Sequence, residues 1–101
     1  MNPNMIKQAQ QLQARLVKAQ EELGNMVTDV TVGGGAIKIT IDGKQLVRAI
    51  IISPDLLSSG DIEMLQDMLV AGMNEAVHKS QEMASEHLGK ITGGFNIPGL
   101  F

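Results

Sequence analysis

The chain has 101 residues, of which 44% are hydrophobic and 19% charged, with a net charge of −3 and no cysteine. This length suits one compact domain. Without cysteine there can be no disulfide, thiol nucleophile or Cys-ligated metal centre, and the acidic balance argues mildly against nucleic-acid binding.

Targeting and membrane segments are not expected in this chain. Residues 1–5 lack the charged and apolar blocks of a signal peptide. No apolar run approaches the length of a transmembrane helix, and residues 49–52 have the length of a strand. We therefore predict a cytoplasmic protein that does not associate with a membrane.

The first predicted element is a long helix over residues 3–24. Asn2 can cap it, Pro3 suits its first position, and Gly24 followed by Asn25 ends it. Its apolar residues alternate spacings of four and three, which gives a seam that repeats every 3.5 residues. The seam consists of Met5, Ala9, Leu12, Leu16, Ala19, Leu23 and Met26. At 1.5 Å per residue the helix is about 33 Å long, so part of it should project or meet another chain.

Three strands are predicted next, over residues 28–32, 37–42 and 46–52. Three consecutive glycines, residues 33–35, connect the first two strands. Asp42 and Gly43 stand between the second and third, and this dipeptide is the strongest short hairpin signal. Alternating side chains and short connections are typical of an antiparallel meander.

The third strand is apolar on both sides except at Arg48. Simple alternation places Val47, Ala49 and Ile51 on one face and Leu46, Ile50 and Ile52 on the other. One covering helix leaves a sheet face open, and so short a chain has little left to cover it. We therefore expect a homodimer with Leu46, Ile50 and Ile52 in its interface.

A second long helix is predicted after a loop at residues 58–60. Asp61 caps it, Glu63 complements the helix dipole in the first turn, and Gly89 is the expected end. Its apolar stripe consists of Ile62, Leu65, Leu69, Gly72, Met73 and Ala76. The predicted class is α+β, with a single α-β-β-β-α domain over residues 1–89. A tail that contains glycine and proline follows over residues 90–101.

The residues that could suggest catalysis or metal binding are better explained by structural roles or by position on the surface. His78 and His87 are nine residues apart, which places them on opposite sides of one helix and excludes a paired zinc site. We therefore expect both to be solvated surface residues. The glycines of residues 33–35 lead into a strand without a following Lys-Ser or Lys-Thr, which favours a turn over a phosphate-binding loop. The acidic cluster of Asp61, Glu63 and Asp67 already has a structural role at a helix start. We predict no enzymatic activity, no cofactor or metal and no small-molecule substrate.

The polar side of the first helix carries the remaining candidate site. Lys7, Arg15 and Lys18, with the glutamines around them, offer cationic and amide groups that suit phosphate oxygens. A merely solvated helix face is the commoner meaning of such a pattern. The residues permit DNA binding without requiring it, and Lys79 and Lys90 are weaker candidates.

Six segments, in order and spacing, carry a resemblance to a known family. They are residues 5–13 (MIKQAQQLQ), 18–23 (KAQEEL), 33–43 (GGGAIKITIDG), 52–57 (ISPDLL), 61–67 (DIEMLQD) and 89–101 (GKITGGFNIPGLF). Together they resemble the YbaB/EbfC family over the whole chain. The chain differs at Gly72, where relatives usually have alanine, and residues 74–80 are less basic than in many relatives.

The resemblance implies an intertwined homodimer with projecting helices that binds double-stranded DNA in the nucleoid and influences gene expression. Because few cations are available, we expect binding largely without sequence specificity. The alternative is an adaptor that binds another protein of DNA metabolism through its long helices or its C-terminal tail.

Overall fold

A computed structural model describes residues 2–93 and has the predicted α-β-β-β-α order. The elements are α1 (Pro3–Leu23), β1 (Val27–Val32), β2 (Ile37–Asp42), β3 (Val47–Ile52), α2 (Pro54–Ser58) and α3 (Ile62–Thr92). The short helix α2 was not expected. Its signals are nevertheless local, since Ser53 accepts a hydrogen bond from the Leu56 backbone N–H and Pro54 occupies the first turn.

Helix α1 begins where the sequence indicates, because the Asn2 side chain accepts a hydrogen bond from the Asn4 backbone N–H at 2.9 Å. Its seam is buried only in part. Leu12, Ala19 and Leu23 are buried, whereas Met5 and Ala9 are exposed. The C-terminal half of α1 therefore packs against the rest of the chain, and its first two turns project.

The sheet is antiparallel, with β2 between β1 and β3. Helix α3 packs against β1 and β2, and the core between these layers consists of Val30, Ile37, Ile39, Ile41, Leu56 and Ala76. A Cβ atom at Gly72 would lie 2.8 Å from Val32 Cγ2 and 2.9 Å from Ile39 Cδ1. This close approach of α3 to the sheet explains a glycine that costs a helix about 1 kcal/mol relative to alanine.

The residues of β3 are distributed over the two faces of the sheet differently from what simple alternation predicts. Ile39 pairs with Ile50 and Ile41 with Val47, and the register shifts between Thr40 and Ile41. Directly paired residues share a face, so Val47 lies on the same face as Ile50. The predicted separation of these two residues was wrong, because an extra residue in one strand reverses the alternation beyond it.

Helix α3 also differs from the expectation at its C-terminal end. The expected stop at Gly89 was wrong, because the helix runs through this residue to Thr92 and the Gly93 N–H donates to the Gly89 carbonyl at 2.9 Å. An isolated glycine weakens a helix without ending it. The 31 residues of α3 span about 46 Å. Residues 94–101 of the predicted tail lie outside the described residues.

Within residues 2–93, no helix is both long enough and apolar enough to cross a lipid bilayer.

Candidate nucleic-acid interface

The positive charge of α1 is separated from the acidic residues of the chain. The first 20 residues contain Lys7, Arg15 and Lys18 and no acidic residue, and all eleven Asp and Glu residues come later. The first acidic residue is Glu21, in the last turn of α1. The first 20 residues therefore have an excess of three positive charges although the whole chain carries −3.

The three cations lie on one side of α1. Lys7 and Lys18 are eleven residues apart, which corresponds to about three turns, a rise of about 16.5 Å and nearly the same direction around the axis. Arg15 lies within about 60° of Lys18 around the axis. Three amide side chains share this side, and the whole set, called here the cationic face, is Asn4, Lys7, Gln8, Gln11, Arg15 and Lys18. All six residues are exposed.

The cationic face lies beside the packed side of the helix. Leu12, Ala19 and Leu23 are buried, and their directions lie about 100° from the centre of the cationic face at 100° per residue. Packing of α1 therefore leaves the cationic face exposed. Lysine and arginine groups together with amides are the side chains that contact phosphate oxygens in protein–DNA complexes.

The two weaker candidates lie elsewhere, on α3. Lys79 Nζ is 3.5 Å from the backbone carbonyl of Asp29 on β1, so this lysine lies beside the sheet. Lys90 Nζ is 3.9 Å from Glu86 Oε1 one turn earlier in the helix. Each has a local electrostatic neighbour, and neither belongs to the cationic face of α1.

A buried carboxylate lies at the turn between β2 and β3. The sequence pattern indicated this residue only as part of a turn and did not predict its burial. Asp42 is fully buried. Its Oδ1 accepts hydrogen bonds from the backbone N–H groups of Lys44 at 2.7 Å and Leu46 at 3.1 Å, and its Oδ2 accepts one from Arg48 Nε at 2.9 Å. Burial alone would raise the pKa of Asp42, but these hydrogen bonds outweigh it and hold the pKa below its ordinary value.

Arg48 links this carboxylate to the end of α1. Its Nη2 donates to the carbonyl of Gly24, the C-cap of α1, at 2.7 Å. The Gly43 N–H donates to the Leu23 carbonyl at 3.0 Å, and a Cβ atom at Gly43 would lie 2.8 Å from that same oxygen. The C-terminal end of α1 is therefore attached to the β2–β3 hairpin at two points, one in the turn and one in β3.

Helix α3 joins the same cluster through Ser80, which is fully buried. Its hydroxyl donates to the Asp42 carbonyl at 2.6 Å and accepts from the Gln45 N–H at 3.1 Å. The turn consists of the four residues 43–46 between β2 and β3, with Gln45 at φ 65°, and is not a two-residue turn centred on Asp42 and Gly43. We call Asp42, Arg48 and Ser80, with the backbone groups that they bind, the anchor network.

The two histidines have different surroundings. His78 is exposed and pairs with Glu82 one turn later on α3. His87 is half-buried, and its Nε2 lies 2.9 Å from Glu22 Oε2 of α1. The interpretation of both histidines as solvated surface residues was therefore wrong for His87, because α1 packs beside it.

The predicted dimer residues lie on and beside the outer strand of the sheet. Leu46 is 59% exposed and Ile50 44%, and Ile52 is half-buried against the core. Helix α3 does not cover β3 as it covers β1 and β2. The exposed apolar residues here, called the β3 surface, are Leu46, Val47, Ile50 and Ile51. An apolar edge strand of this kind is typical of an interaction surface.

Comparisons with known proteins agree with the fold and with the sequence resemblance. A protein of Helicobacter pylori described as uncharacterized has a crystal structure that matches 92% of this chain and 99% of its own, with a TM-score of 0.78 at 17% identity. A protein of Desulforamulus reducens named "Nucleoid-associated protein" is 48% identical over 97 residues, which cover 96% of this chain and 92% of the relative. A protein of the same name from Pelotomaculum thermopropionicum is 46% identical over the same shares of both chains.

A comparison with protein families gives the same result over nearly the whole sequence. The sequence model of the YbaB/EbfC DNA-binding family matches residues 1–95, which include every element from α1 to α3. The chain therefore belongs to the YbaB/EbfC DNA-binding family.

Proposed function

We propose that this chain is a nucleoid-associated protein that binds duplex DNA through the cationic face of α1. The observation that carries this proposal is the separation of charge, with three cations and no acidic residue in the first 20 positions. A helix of this kind attracts phosphates locally although the whole chain is acidic. Membership of a DNA-binding family and the names of the relatives support the same function.

The proposed active form is a homodimer joined through the β3 surface, in the cytoplasm and on the nucleoid. In the single chain, Leu46, Ile50 and Ile51 expose apolar area at a strand edge, and a second copy would bury it. Two-fold symmetry would also double the cationic face. Six cations on two copies of α1 offer more phosphate contacts than three on one, and binding along the nucleoid would influence gene expression.

We expect binding that is nearly independent of DNA sequence. The cationic face offers few groups, and these suit phosphates rather than base edges. Affinities for unrelated duplexes of equal length should agree within about tenfold, below the preference of true sequence readers. Competition titrations with several duplexes measure this directly. A hundredfold preference for one duplex would contradict backbone recognition.

Removal of the cationic face is the central test. We expect the triple change Lys7→Ala, Arg15→Ala and Lys18→Ala to remove most of the binding and to leave the fold intact, because these exposed side chains do not form the core. For the parent dimer, two to four engaged cations predict a slope of log affinity against log salt of roughly −2 to −4. Binding should be micromolar and should weaken strongly near physiological ionic strength.

The matched control removes the same charge from other surfaces. Lys38→Ala and Lys44→Ala together change two exposed lysines that lie outside the cationic face and are not candidate DNA contacts. Compared with each pairwise change within the cationic face, this control should keep most of the parent affinity and its salt slope. If the α1 triple variant binds duplex as tightly as the parent does, the cationic face is not the contact surface.

The second candidate function is that of a protein–protein adaptor, and one observation favours it. Ile6 and Val17 are exposed apolar residues of α1, eleven residues apart and therefore on one side. This side differs from both the cationic face and the buried side. The absence of any duplex shift at low salt would favour the adaptor function.

A further inference from the structure

We infer that Arg48 is a positioning residue for DNA binding, because it connects the end of α1 to the buried carboxylate of Asp42 and thereby sets the direction in which α1 leaves the sheet. The inference rests on the proposed role of the cationic face. It assigns a function in recognition to a side chain of β3 that is distant in sequence from every predicted DNA-binding residue of α1.

The geometry of the guanidinium group suits this connection. Nη2 donates to the Gly24 carbonyl at 2.7 Å while Nε donates to Asp42 Oδ2 at 2.9 Å. A planar guanidinium can hold two acceptors in fixed directions, whereas an ammonium group is a single point charge. Asp42 cannot easily move, because two backbone N–H groups of its own turn also bind it.

The local backbone explains why the side chain reaches both acceptors. The register of β3 against β2 shifts next to Arg48, between the pairs Ile41–Val47 and Thr40–Ala49. An extra residue of this kind redirects a side chain relative to regular alternation. Arg48 therefore turns toward the end of α1 instead of following the apolar pattern of its strand.

A small rotation of α1 about this end becomes a large displacement at Lys7, which lies in the projecting turns. Lys7 lies 17 residues from Gly24, which is about 25 Å along a helix, so a tilt of about 10° would move Lys7 by about 4 Å. This displacement is comparable with the axial step of about 3.4 Å between phosphates of one DNA strand. Loss of the anchor should therefore misplace at least one cation relative to its phosphate.

The rival explanation is that Arg48 itself contacts DNA, since its side chain is 52% exposed. Lys44 provides the matched control. It lies in the same turn, it is exposed, and its hydrogen bond to Asp42 comes from its backbone N–H. Its side-chain carbons lie beside Gly24, where a Cβ atom would be 3.6 Å from Lys44 Cδ and Cε, and methionine keeps a similar apolar stem there. Arg48→Met and Lys44→Met remove the same charge from the same region, and only the first removes the link between Asp42 and Gly24.

The test combines a distance measurement with binding titrations. Because the chain has no cysteine, Gln10→Cys on α1 and Thr31→Cys on β1 introduce the only two sites for spin labels, and both positions are exposed. Dilution with unlabelled protein restricts the measured distances to those within one chain. We expect Arg48→Met to shift or broaden the distance distribution by about 3 Å or more. We expect Lys44→Met to leave it unchanged.

Duplex affinity should follow the distances. Loss of one phosphate contact near 0.1 M salt corresponds to about an eightfold loss of affinity, so Arg48→Met should bind roughly five to ten times more weakly, and Lys44→Met should stay within about twofold of the parent. If Arg48→Met does not fold, Arg48→Lys is measured instead, because it keeps the charge but not the two-acceptor bridge. The same change in the distances is then expected.

The outcomes separate this inference from the proposed function. An unchanged distance distribution in the Arg48 variant would overturn the positioning role, even if affinity falls. An equal loss of affinity in both methionine variants would assign the effect to charge and would also overturn it. If the parent chain binds no duplex at low salt, the proposed function fails, whereas the distances still test whether Arg48 orients α1.

Discussion

Replacement of Asp42 by alanine is expected to destabilise the fold by about 2–4 kcal/mol, because it leaves buried or half-buried donors without an acceptor. The backbone N–H groups of Lys44 and Leu46 lose Oδ1, and Arg48 loses Oδ2. Arg48 is half exposed and can regain part of its hydration, which keeps the cost below that of a fully buried ion pair. Urea denaturation monitored by circular dichroism measures the difference.

Asp42→Asn distinguishes the contribution of the charge to stability from the contribution of the hydrogen bonds. The amide oxygen still accepts from both backbone N–H groups, so we expect a loss of only about 1–2 kcal/mol at neutral pH. Asp67→Asn is the control, because Asp67 is exposed on α3. If Asp42→Ala costs no more than Asp67→Asn does, the anchor network is not a stabilising feature.

The same carboxylate predicts how stability depends on pH. The folded pKa of Asp42 lies below the ordinary value of 3.8, so the folded state binds fewer protons than the unfolded state in this range. Its stabilising contribution is therefore fully present above pH 3.8 and is lost as pH falls through the folded pKa. Asp42→Asn should lose stability less steeply than the parent does below pH 4. An unchanged acid slope would contradict the assignment of Asp42 as a charged anchor.

Replacement of Ile50 by aspartate is expected to have the largest effect of all, namely the loss of the dimer together with the fold. In the single chain Ile50 is 44% exposed, and an exposed substitution at a strand edge would cost little. In a dimer joined through the β3 surface, the same change places an unpaired charge in a buried interface, which costs several kcal/mol. Because an obligate dimer has no stable folded monomer, the variant should unfold.

Light scattering and circular dichroism test this expectation. The parent should have twice the 10.8 kDa chain mass down to low micromolar concentration, and Ile50→Asp should lose both this mass and its regular structure. Thr31→Asp is the control, because Thr31 is exposed on the opposite edge strand and pairs with Lys38. A parent that is a folded monomer, or an aspartate variant that remains a folded dimer, would contradict the proposed interface.

The sequence by itself determined the order of the two long helices and three strands, the starts of both long helices and the alternation of apolar residues in β2. Asn2 and Asp61 cap their helices as expected, and the alternating isoleucines of β2 are fully buried. These features depend on local chemistry, namely side-chain oxygens that bind free backbone N–H groups and apolar residues with the period of a strand or helix. The three cations of α1 were also visible in the sequence, because they recur on one side of a regular helix.

Tertiary structure decided the features that depend on residues distant in sequence. An extra residue in β3 moved Val47 to the face of Ile50, and no local pattern marks where pairing with β2 slips. Packing of α3 on the sheet requires Gly72, whereas helix propensity alone would disfavour it. The anchor network joins residues 24, 42, 48 and 80, which come together only when both helices dock at the β2–β3 turn. Burial of Asp42 follows from that docking, because a carboxylate after a strand is ordinarily a solvated turn residue.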